Sequence, residues 1–382
     1  MTTRPAGRPT CATIEGAALR NNYALVRAAL APGSSLLAVV KADGYGHGAT
    51  LVAPILEAAG AGGLGVATVA EGVELRCSGV RKPILVLTGA TGGDVVALRE
   101  HQLSVAVVDR EMARELAAAA GGYRVRVHVK VDTGMGRLGA LPADLPALVD
   151  ELQRAGTFEI EGVFSHFGNA DRVDQEYSDY QLRVFRGAVE TLHEMGVRPR
   201  WVHLANSAAT LSRPEAHFSL VRPGIVLYGV PPGATPAPAG LQPVMRLATR
   251  IVQLKTVPSE FPVSYGQTFV TRRRSVLAVL PIGYADGYDR ALSNRAAVLV
   301  HGQRVAVVGA VCMDLMMVDV SDLRGVRVGD EVVLWGRQNS AEITVSEVAQ
   351  WQGSVAYEVL TRLGKRVPRV LIPEQQGRGE GG

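Results

Sequence analysis

The hydrophobic residues of the segment 12–240 lie in short continuous runs that alternate with amphipathic stretches. Eight runs are rich in Val, Ile and Leu, and an opening stretch from Ala17 to Leu30 has apolar residues at helical spacing. Continuous runs are typical of parallel strands buried on both faces, and eight strand and helix repeats indicate an α/β fold, a closed (β/α)8 barrel. The predicted strands are LLAVVK, LGVAT, ILVLTG, SVAVVD, VRVHVKVD, EIEGVFSHF, WVHLAN and FSLVRPG.

The pattern changes after the Pro- and Gly-rich stretch VPPGATPAPAG at 230–240. The β-branched runs that follow, such as RIVQLKTV and RVAVVGAV, are separated by glycines and predict a mostly β C-terminal domain at 241–375. We therefore expect a TIM-type barrel domain at 12–240, this second domain, and flexible termini at 1–11 and 376–382.

The composition restricts the function classes. The 382 residues include 47% hydrophobic and 20% charged residues, with a formal net charge of +4, which fits a globular protein of two domains. The arginines are spread along the chain. The one dense basic run, 272–274, does not predict a nucleic-acid-binding surface.

Cysteine usage and the first residues predict the compartment. Three distant cysteines without CxxC or Cys/His spacing predict neither disulfides nor a metal site. The start MTTRPAGRPTCATIEG lacks an apolar leader pattern, and no segment approaches about 18 continuous apolar residues. We expect a cytoplasmic protein without a membrane segment.

Polar side chains mark the carboxyl ends of five predicted strands. Barrel active sites are built at this end, so these side chains are expected to meet at one barrel mouth. Alone, a lysine there is more often a rim residue and a histidine a core residue. A lysine, an arginine and the phosphate-binding loops after strands 7 and 8 together suit a pyridoxal phosphate (PLP) enzyme. The residues are Lys41, Lys130, Arg137, His166, Asn206, Ser207, Arg222 and Gly224.

Nine segments, in order from about residue 14 to residue 370, resemble the alanine racemase family. They are AVVKADGYGHG, KVDTGMGRLG, SHFGNAD, HLANSAAT, VRPGIVLYG, VSYGQTF, LPIGYADG, VCMDLMMVDV and YEVLTRLGKRVPR. Other PLP barrels, such as the basic amino-acid decarboxylases, do not have this whole series. The resemblance implies a PLP-dependent isomerase that interconverts L- and D-alanine and supplies D-alanine for peptidoglycan.

The resemblance also implies two catalytic bases. Lys41 binds PLP covalently and, once released by the substrate, acts on the D-face of the α-carbon, while Tyr265 acts on the L-face. Inversion needs both, because deprotonation on one face must be followed by reprotonation on the other. A tyrosine is a weak base at neutral pH, so its phenolate needs neighbouring charge, for which His166 and Arg222 are the candidates.

Further residues take their roles from the family. Arg222 faces the pyridine nitrogen and, as a poor proton donor, keeps the ring a weak electron sink, which suppresses transamination. Arg137 and the Met313 backbone bind the substrate carboxylate. The cofactor-binding set is Lys41, Tyr45, His166, Asn206, Ser207, Arg222, Gly224 and Ile225, and Tyr45, Ser207, Gly224 and Ile225 bind the phosphate.

Supporting residues lie around this set. The family often carbamylates the lysine that matches Lys130, which gives an anion able to hold Arg137; the alternative is an ordinary Lys130 paired with Asp132. Asp314 and Tyr284 lie in motifs that the family places at the substrate entrance near the subunit boundary.

One position departs from the family, and two alternative functions stay open. Lys365 stands where some relatives have a tyrosine that reaches the phosphate. The family forms head-to-tail homodimers, so we expect each barrel mouth to be completed by the partner's C-terminal domain. Two other functions remain open: a PLP racemase for serine, lysine or a broad range of amino acids, and a non-catalytic PLP-binding module. The presence of Tyr265 and of the Cys-Met-Asp segment at 312–314 favours catalysis over the module.

Overall fold

The computed structural model describes residues 8–372, and its chain divides into two compact units. One unit is Leu19–Gln242, and the other combines residues 8–18 with residues 243–372. The helices are α1 (Gly16–Ala28), α2 (Lys41–Tyr45), α3 (Ala49–Ala58), α4 (Val69–Cys77), α5 (Val95–Glu100), α6 (Arg110–Ala119), α7 (Leu145–Ala155), α8 (Glu176–Glu194), α9 (Ser207–Ser212), α10 (Val345–Gln352) and α11 (Ala356–Thr361).

The strands, also in chain order, are β1 (Cys11–Glu15), β2 (Ser35–Val39), β3 (Gly63–Val66), β4 (Ile84–Val86), β5 (Leu103–Val107), β6 (Val125–Lys130), β7 (Phe158–Phe164), β8 (Trp201–His203), β9 (Leu220–Val221), β10 (Met245–Arg250), β11 (Gln253–Val257), β12 (Pro262–Val263), β13 (Phe269–Val270), β14 (Ser275–Leu280), β15 (Ala297–Val300), β16 (Gln303–Ala306), β17 (Met316–Asp319), β18 (Glu331–Gln338), β19 (Ala341–Ile343) and β20 (Arg369–Ile372). No helix within residues 8–372 is long and apolar enough to cross a membrane.

The unit Leu19–Gln242 contains one eight-stranded parallel sheet. Its hydrogen-bonded order is β8, β7, β6, β5, β4, β3, β2, β9, so the first strand of this sheet in chain order, β2, pairs with the last, β9. All eight strands predicted from the apolar runs are present, and the predicted barrel is confirmed. The runs are continuous because both faces are covered: every residue of β5 is buried.

The other unit is mostly β, as predicted. Its seven-stranded sheet has the order β16, β15, β18, β10, β1, β20, with β19 paired to β18. A three-stranded sheet joins β11, β14 and β17, and β12 pairs with β13. Val257, Val263, Leu277 and Val308 form a small hydrophobic cluster, to which the three-stranded sheet contributes Val257 and Leu277.

The first strand lies outside the barrel sheet, although the predicted barrel range includes most of it. β1 was expected within 12–240, but it pairs antiparallel with β10 and parallel with β20 in the other unit. Residues 8–11, expected to be flexible, are held in place: Arg8 forms an ion pair of 2.7 Å with Asp286, and Thr10 donates to the Pro281 carbonyl at 2.7 Å. The predicted flexible ends at 1–7 and 376–382 lie outside the described residues.

Candidate active site

The predicted strand-end residues lie at the carboxyl ends of barrel strands. Lys41 follows β2, Lys130 ends β6, His166 follows β7, and Arg222 follows β9. Parallel strands place these ends at one rim of the barrel. The side chains are close enough for their charges to interact, since Arg222, Arg137 and Lys41 all lower the pKa of Lys130.

Arg222 is buried and its guanidinium is fixed by four acceptors. Nη2 donates to the carbonyls of Ser165, at 2.6 Å, and Leu204, at 3.1 Å. Nη1 donates to His203 Nδ1 at 2.9 Å, and Nη2 donates to His166 Nδ1 at 3.2 Å. Burial, followed by the charge of Arg222, lowers the pKa of both histidines well below the usual value. Both rings are therefore neutral and able to accept from the arginine.

A chain of hydrogen bonds continues from Arg222 into the barrel. Because the guanidinium only donates, His203 keeps its proton on Nε2 and donates to His128 Nδ1 at 2.8 Å. His128 Nε2 then lies 3.9 Å from a Glu161 carboxylate oxygen. His203 and His128 were not among the predicted site residues, although a histidine inside an otherwise apolar strand was a usable signal.

The loop that begins at Lys41 winds left-handed. Ala42, Asp43 and Tyr45 have φ of 52°, 53° and 52°, a conformation that costs an L-residue about 1–2 kcal/mol. Tertiary contacts hold it: the Asp43 carboxylate accepts from the Ala49 amide at 2.7 Å. Gly44 is required here, because a Cβ would lie 2.8 Å from Val52 Cγ2.

Glu71 supports the same loop from α4. One carboxylate oxygen accepts from the Ala42 amide at 2.7 Å, and the other accepts from the Ala67 amide at 2.7 Å. For Lys41, burial and then Arg137 lower the pKa more than Glu71 raises it. The Lys41 pKa therefore lies below its usual value. Glu71 was not among the predicted site residues; a glutamate in the first turn of a helix is ordinarily a capping residue.

Tyr45, Ser207 and Gly224 meet in a small cradle. The Gly224 amide donates to Ser207 Oγ at 2.8 Å. A Cβ on Gly224 would lie 2.3 Å from the Tyr45 hydroxyl, so only glycine allows this approach. Asn206 caps α9 by accepting from the Ala209 amide at 3.1 Å, and Ile225 begins a short 3-10 turn directly after Gly224. Two hydroxyls and a backbone amide in one place suit the oxygens of a phosphate.

Lys130 and Arg137 flank a glycine-rich turn. Burial, then Arg222, Arg137 and Lys41, lower the pKa of Lys130 to about 8. Burial acts to raise the pKa of Asp132, but hydrogen bonds from backbone amides outweigh it and hold this pKa below the usual value. Those amides include Gly134 at 2.9 Å and Arg137 at 2.9 Å, so the Asp132 carboxylate is engaged by the turn.

The remaining predicted residues lie in the mostly β unit. Tyr265 is 73% exposed. The Ala285 amide donates to the Met313 carbonyl at 3.0 Å, which joins the Tyr284 segment to the Met313 segment. Asp314 forms an ion pair of 2.6 Å with Arg366. Lys365, the departure from the family pattern, is exposed.

The donor set fits PLP. PLP has an aldehyde, a phosphate and a ring nitrogen, and the site has a group for each. The lysine of lowered pKa suits the aldehyde, the cradle of hydroxyls and an amide suits the phosphate, and the buried arginine suits the ring nitrogen.

Two family models match the chain. The model for the alanine racemase N-terminal domain matches residues 14–232, and the model for the alanine racemase C-terminal domain matches residues 244–371. The chain belongs to the alanine racemase family. This family is PLP-dependent, so the predicted enzyme class, an isomerase, and the predicted cofactor are confirmed.

Individual relatives agree over nearly the full length. The chain is 44% identical to the alanine racemase of Geobacter sulfurreducens, over 96% of this chain and 97% of the relative. It is 47% identical to that of Symbiobacterium thermophilum, over 95% and 97%. The structure of alanine racemase from D-cycloserine-producing Streptomyces lavendulae matches with a TM-score of 0.92 and 40% identity, over 97% of this chain and 98% of that one. Alanine racemase from Bacillus anthracis with bound L-Ala-P matches with a TM-score of 0.93 and 36% identity, over 97% of each chain.

Proposed function

We propose that the chain interconverts L- and D-alanine with PLP, using Lys41 on the D-face and Tyr265 on the L-face. The observation that supports this most directly is the barrel mouth, where Lys41 has a lowered pKa among Arg222, Arg137 and Lys130. A cluster of cations suits a substrate carboxylate and a cofactor phosphate. The relatives named alanine racemase favour alanine as the substrate.

Each site residue has one task in this proposal. Arg137 and the Met313 backbone bind the carboxylate, while Tyr45, Ser207, Gly224 and Ile225 hold the phosphate, with Asn206 supporting them. When bound, PLP supplies an electron sink for the charge left by proton removal. A lowered pKa increases the fraction of Lys41 that is an uncharged amine at neutral pH, and that form accepts a proton from the α-carbon.

Two measurements test the proposal. Borohydride reduction and peptide mapping should place the pyridoxyl group on Lys41. Purified enzyme should racemise alanine faster than any other member of an amino-acid panel. A pyridoxyl group on Lys82, Lys130 or Lys255, or a preference for serine or lysine, would contradict the corresponding part.

Arg222→Glu should lower racemisation and convert part of the cofactor to pyridoxamine phosphate. A carboxyl group in place of the guanidinium is able to share a proton with the ring nitrogen, which strengthens the electron sink and permits transamination. Arg222→Gln is the matched control, because it removes the same four hydrogen bonds but has no proton to give. It should lose rate without forming pyridoxamine phosphate, and equal formation in both variants would refute the ring-nitrogen role.

We also propose that Lys130 is carbamylated and holds Arg137. A pKa of about 8 leaves a useful fraction of uncharged amine to react with CO2. The carbamate is an anion, so the nearby cations Arg222 and Arg137 stabilise it. The alternative pairing with Asp132 is less favoured because backbone amides of the turn already engage that carboxylate.

Enzyme equilibrated with ¹³C-bicarbonate should show one carbamate carbon resonance that Lys130→Ala removes. The resonance should weaken as pH falls below 8, because at pH 6 only about 1% of an amine with that pKa is uncharged. Lys130→Ala should raise KM for alanine more than it lowers kcat, since Arg137 loses its anion. If the carbamate resonance is absent, or if Lys130→Ala does not remove it, Lys130 is an ordinary lysine and the proposal is wrong.

Assembly and physiological role complete the proposal. We propose a head-to-tail homodimer in the cytoplasm whose D-alanine supplies peptidoglycan synthesis, with Tyr284 and Asp314 at the substrate entrance. The family supports this proposal through the motifs that surround Tyr265, Tyr284 and Met313. Expression of the chain should let a D-alanine auxotroph grow without added D-alanine, and a Lys41→Ala chain should not.

A further inference from the structure

The backbone, rather than the side chain, determines where the Tyr265 phenol lies. The side chain is 73% exposed, so few contacts within its own unit fix it. It stands in a short turn, Tyr265–Gln267, whose glycine has a φ of 73°. Whatever holds this turn therefore holds the phenol.

Ser264, directly before Tyr265, has a strained backbone. Its φ of 66° and ψ of −174° lie in a region that is essentially restricted to glycine. Gln267, at the other end of the turn, also has a positive φ, of 50°. A non-glycine residue stays in such a conformation only where its surroundings over-determine it.

The Ser264 hydroxyl ties the turn to a neighbouring loop. We name residues 263–268 the Tyr265 loop and residues 309–314 the Met313 loop. Ser264 Oγ donates to the Ala310 carbonyl at 2.6 Å and lies 3.3 Å from Cys312 Sγ. Gly309 permits the approach, since a Cβ there would lie 2.7 Å from the Val263 carbonyl oxygen.

Asn294 joins the same two loops from a third segment. Its Oδ1 accepts from the Gly309 amide at 2.6 Å, and its Nδ2 donates to Thr268 Oγ1 at 3.0 Å. The preceding residue, Ser293, accepts from the Val311 amide at 2.9 Å. One carboxamide thus contacts the end of the Tyr265 loop and the start of the Met313 loop.

We propose that Ser264 and Asn294 are positioning residues that clasp the Tyr265 loop to the Met313 loop and thereby set proton transfer on the L-face. The proposal rests on the proposed function, in which Tyr265 is the L-face base and the Met313 backbone binds the carboxylate. The clasp fixes the distance between the base and the group that orients the substrate. A displacement of about 1 Å at such a distance can lower a rate about 100-fold.

In PLP-loaded enzyme, Ser264→Ala should lower kcat/KM for alanine about 10- to 100-fold. The fall must be equal in both directions, because the two enantiomers have equal free energy. The affected face is therefore identified by isotopes. With α-deuterated L-alanine, the deuterium isotope effect on the rate should rise, because proton removal by Tyr265 becomes slower. With D-alanine in D2O, Lys41 still removes the α-hydrogen normally, but protonation on the other face is slower. The ratio of α-hydrogen exchange to inversion, here called the exchange-to-inversion ratio, should therefore rise.

Three further variants separate positioning from folding. Ser264→Cys retains a weak donor and should recover part of the lost rate. Asn294→Ala should change the exchange-to-inversion ratio in the same sense as Ser264→Ala. Ser321→Ala is the matched control: Ser321 Oγ accepts from the Val276 amide at 2.8 Å, outside both loops, and its loss should leave the ratio unchanged. Backbone hydrogen exchange of residues 262–270 should be faster in Ser264→Ala and in Asn294→Ala, but not in Ser321→Ala.

The outcomes are distinct. Lower rates with an unchanged exchange-to-inversion ratio would mean that Ser264 and Asn294 serve stability only, which overturns the inference. Normal rates in Ser264→Ala and Asn294→Ala would overturn it equally. If Tyr265→Phe itself inverts alanine at the wild-type rate, the proposed function fails in its choice of base. If Tyr265→Phe is inactive and the clasp variants behave as wild type, only the clasp fails.

Discussion

Lys41→Ala will lower alanine racemisation by more than about a thousandfold, because it removes both the covalent attachment of PLP and the D-face base. The rate is measured in both directions with a coupled assay. Borohydride should then fix no pyridoxyl group to the chain. The cradle of Tyr45, Ser207 and Gly224 remains, so the variant should still bind PLP reversibly.

The control for this prediction is Lys82→Ala. Lys82 is exposed and lies before β4, at the amino end of the barrel strands, so its loss should leave the rate and the melting temperature near those of the unmodified enzyme. A Lys41→Ala enzyme that racemises alanine within tenfold of the original rate would exclude Lys41 as the attachment site and as a base.

Co-expressing Lys41→Ala and Tyr265→Ala chains will restore activity to about a quarter of the unmodified level, although each variant alone is inactive. In the proposed head-to-tail dimer, each site takes Lys41 from one chain and Tyr265 from its partner. With random pairing about half the dimers are mixed, and one of their two sites then carries neither defect. Roughly one site in four is therefore intact.

The matched control pairs Lys41→Ala with Arg137→Ala. Both residues lie in the barrel unit, so every site of a mixed dimer keeps one defect and activity should not exceed that of Arg137→Ala chains expressed alone. If Lys41 and Tyr265 were supplied by the same chain, the first mixture would stay inactive too. Separately tagged chains, purified over both tags, confirm that mixed dimers formed.

Local pattern was sufficient for the barrel and for the residues at its mouth. Eight apolar runs became eight strands because burial on both faces demands continuous hydrophobic sequence. Lys41 and Arg222 were identified in advance because polar residues at the ends of five such runs were expected to meet at one barrel mouth. The family motifs added Tyr265 and Met313, which no periodicity singles out.

Pairing between distant segments was not predictable from local pattern. The predicted barrel range began at residue 12 and so included most of β1, yet the partners of β1 are β10 and β20, more than 200 residues further along. A five-residue strand such as CATIE is too short for its pattern to show which sheet it joins. Its neighbours in space, and not its own residues, determine where it pairs.

The sequence by itself thus determined the strands, the barrel class, the lysine and arginine at its mouth, and the enzyme family. Only the tertiary structure decided the left-handed turn at Ala42 and Asp43, the tautomer of His203 under Arg222, and the strained backbone of Ser264. Each of these is locally unfavourable or locally undetermined. Contacts from elsewhere in the fold, through Glu71, His128 and Ala310, stabilise the one arrangement that the local sequence does not specify.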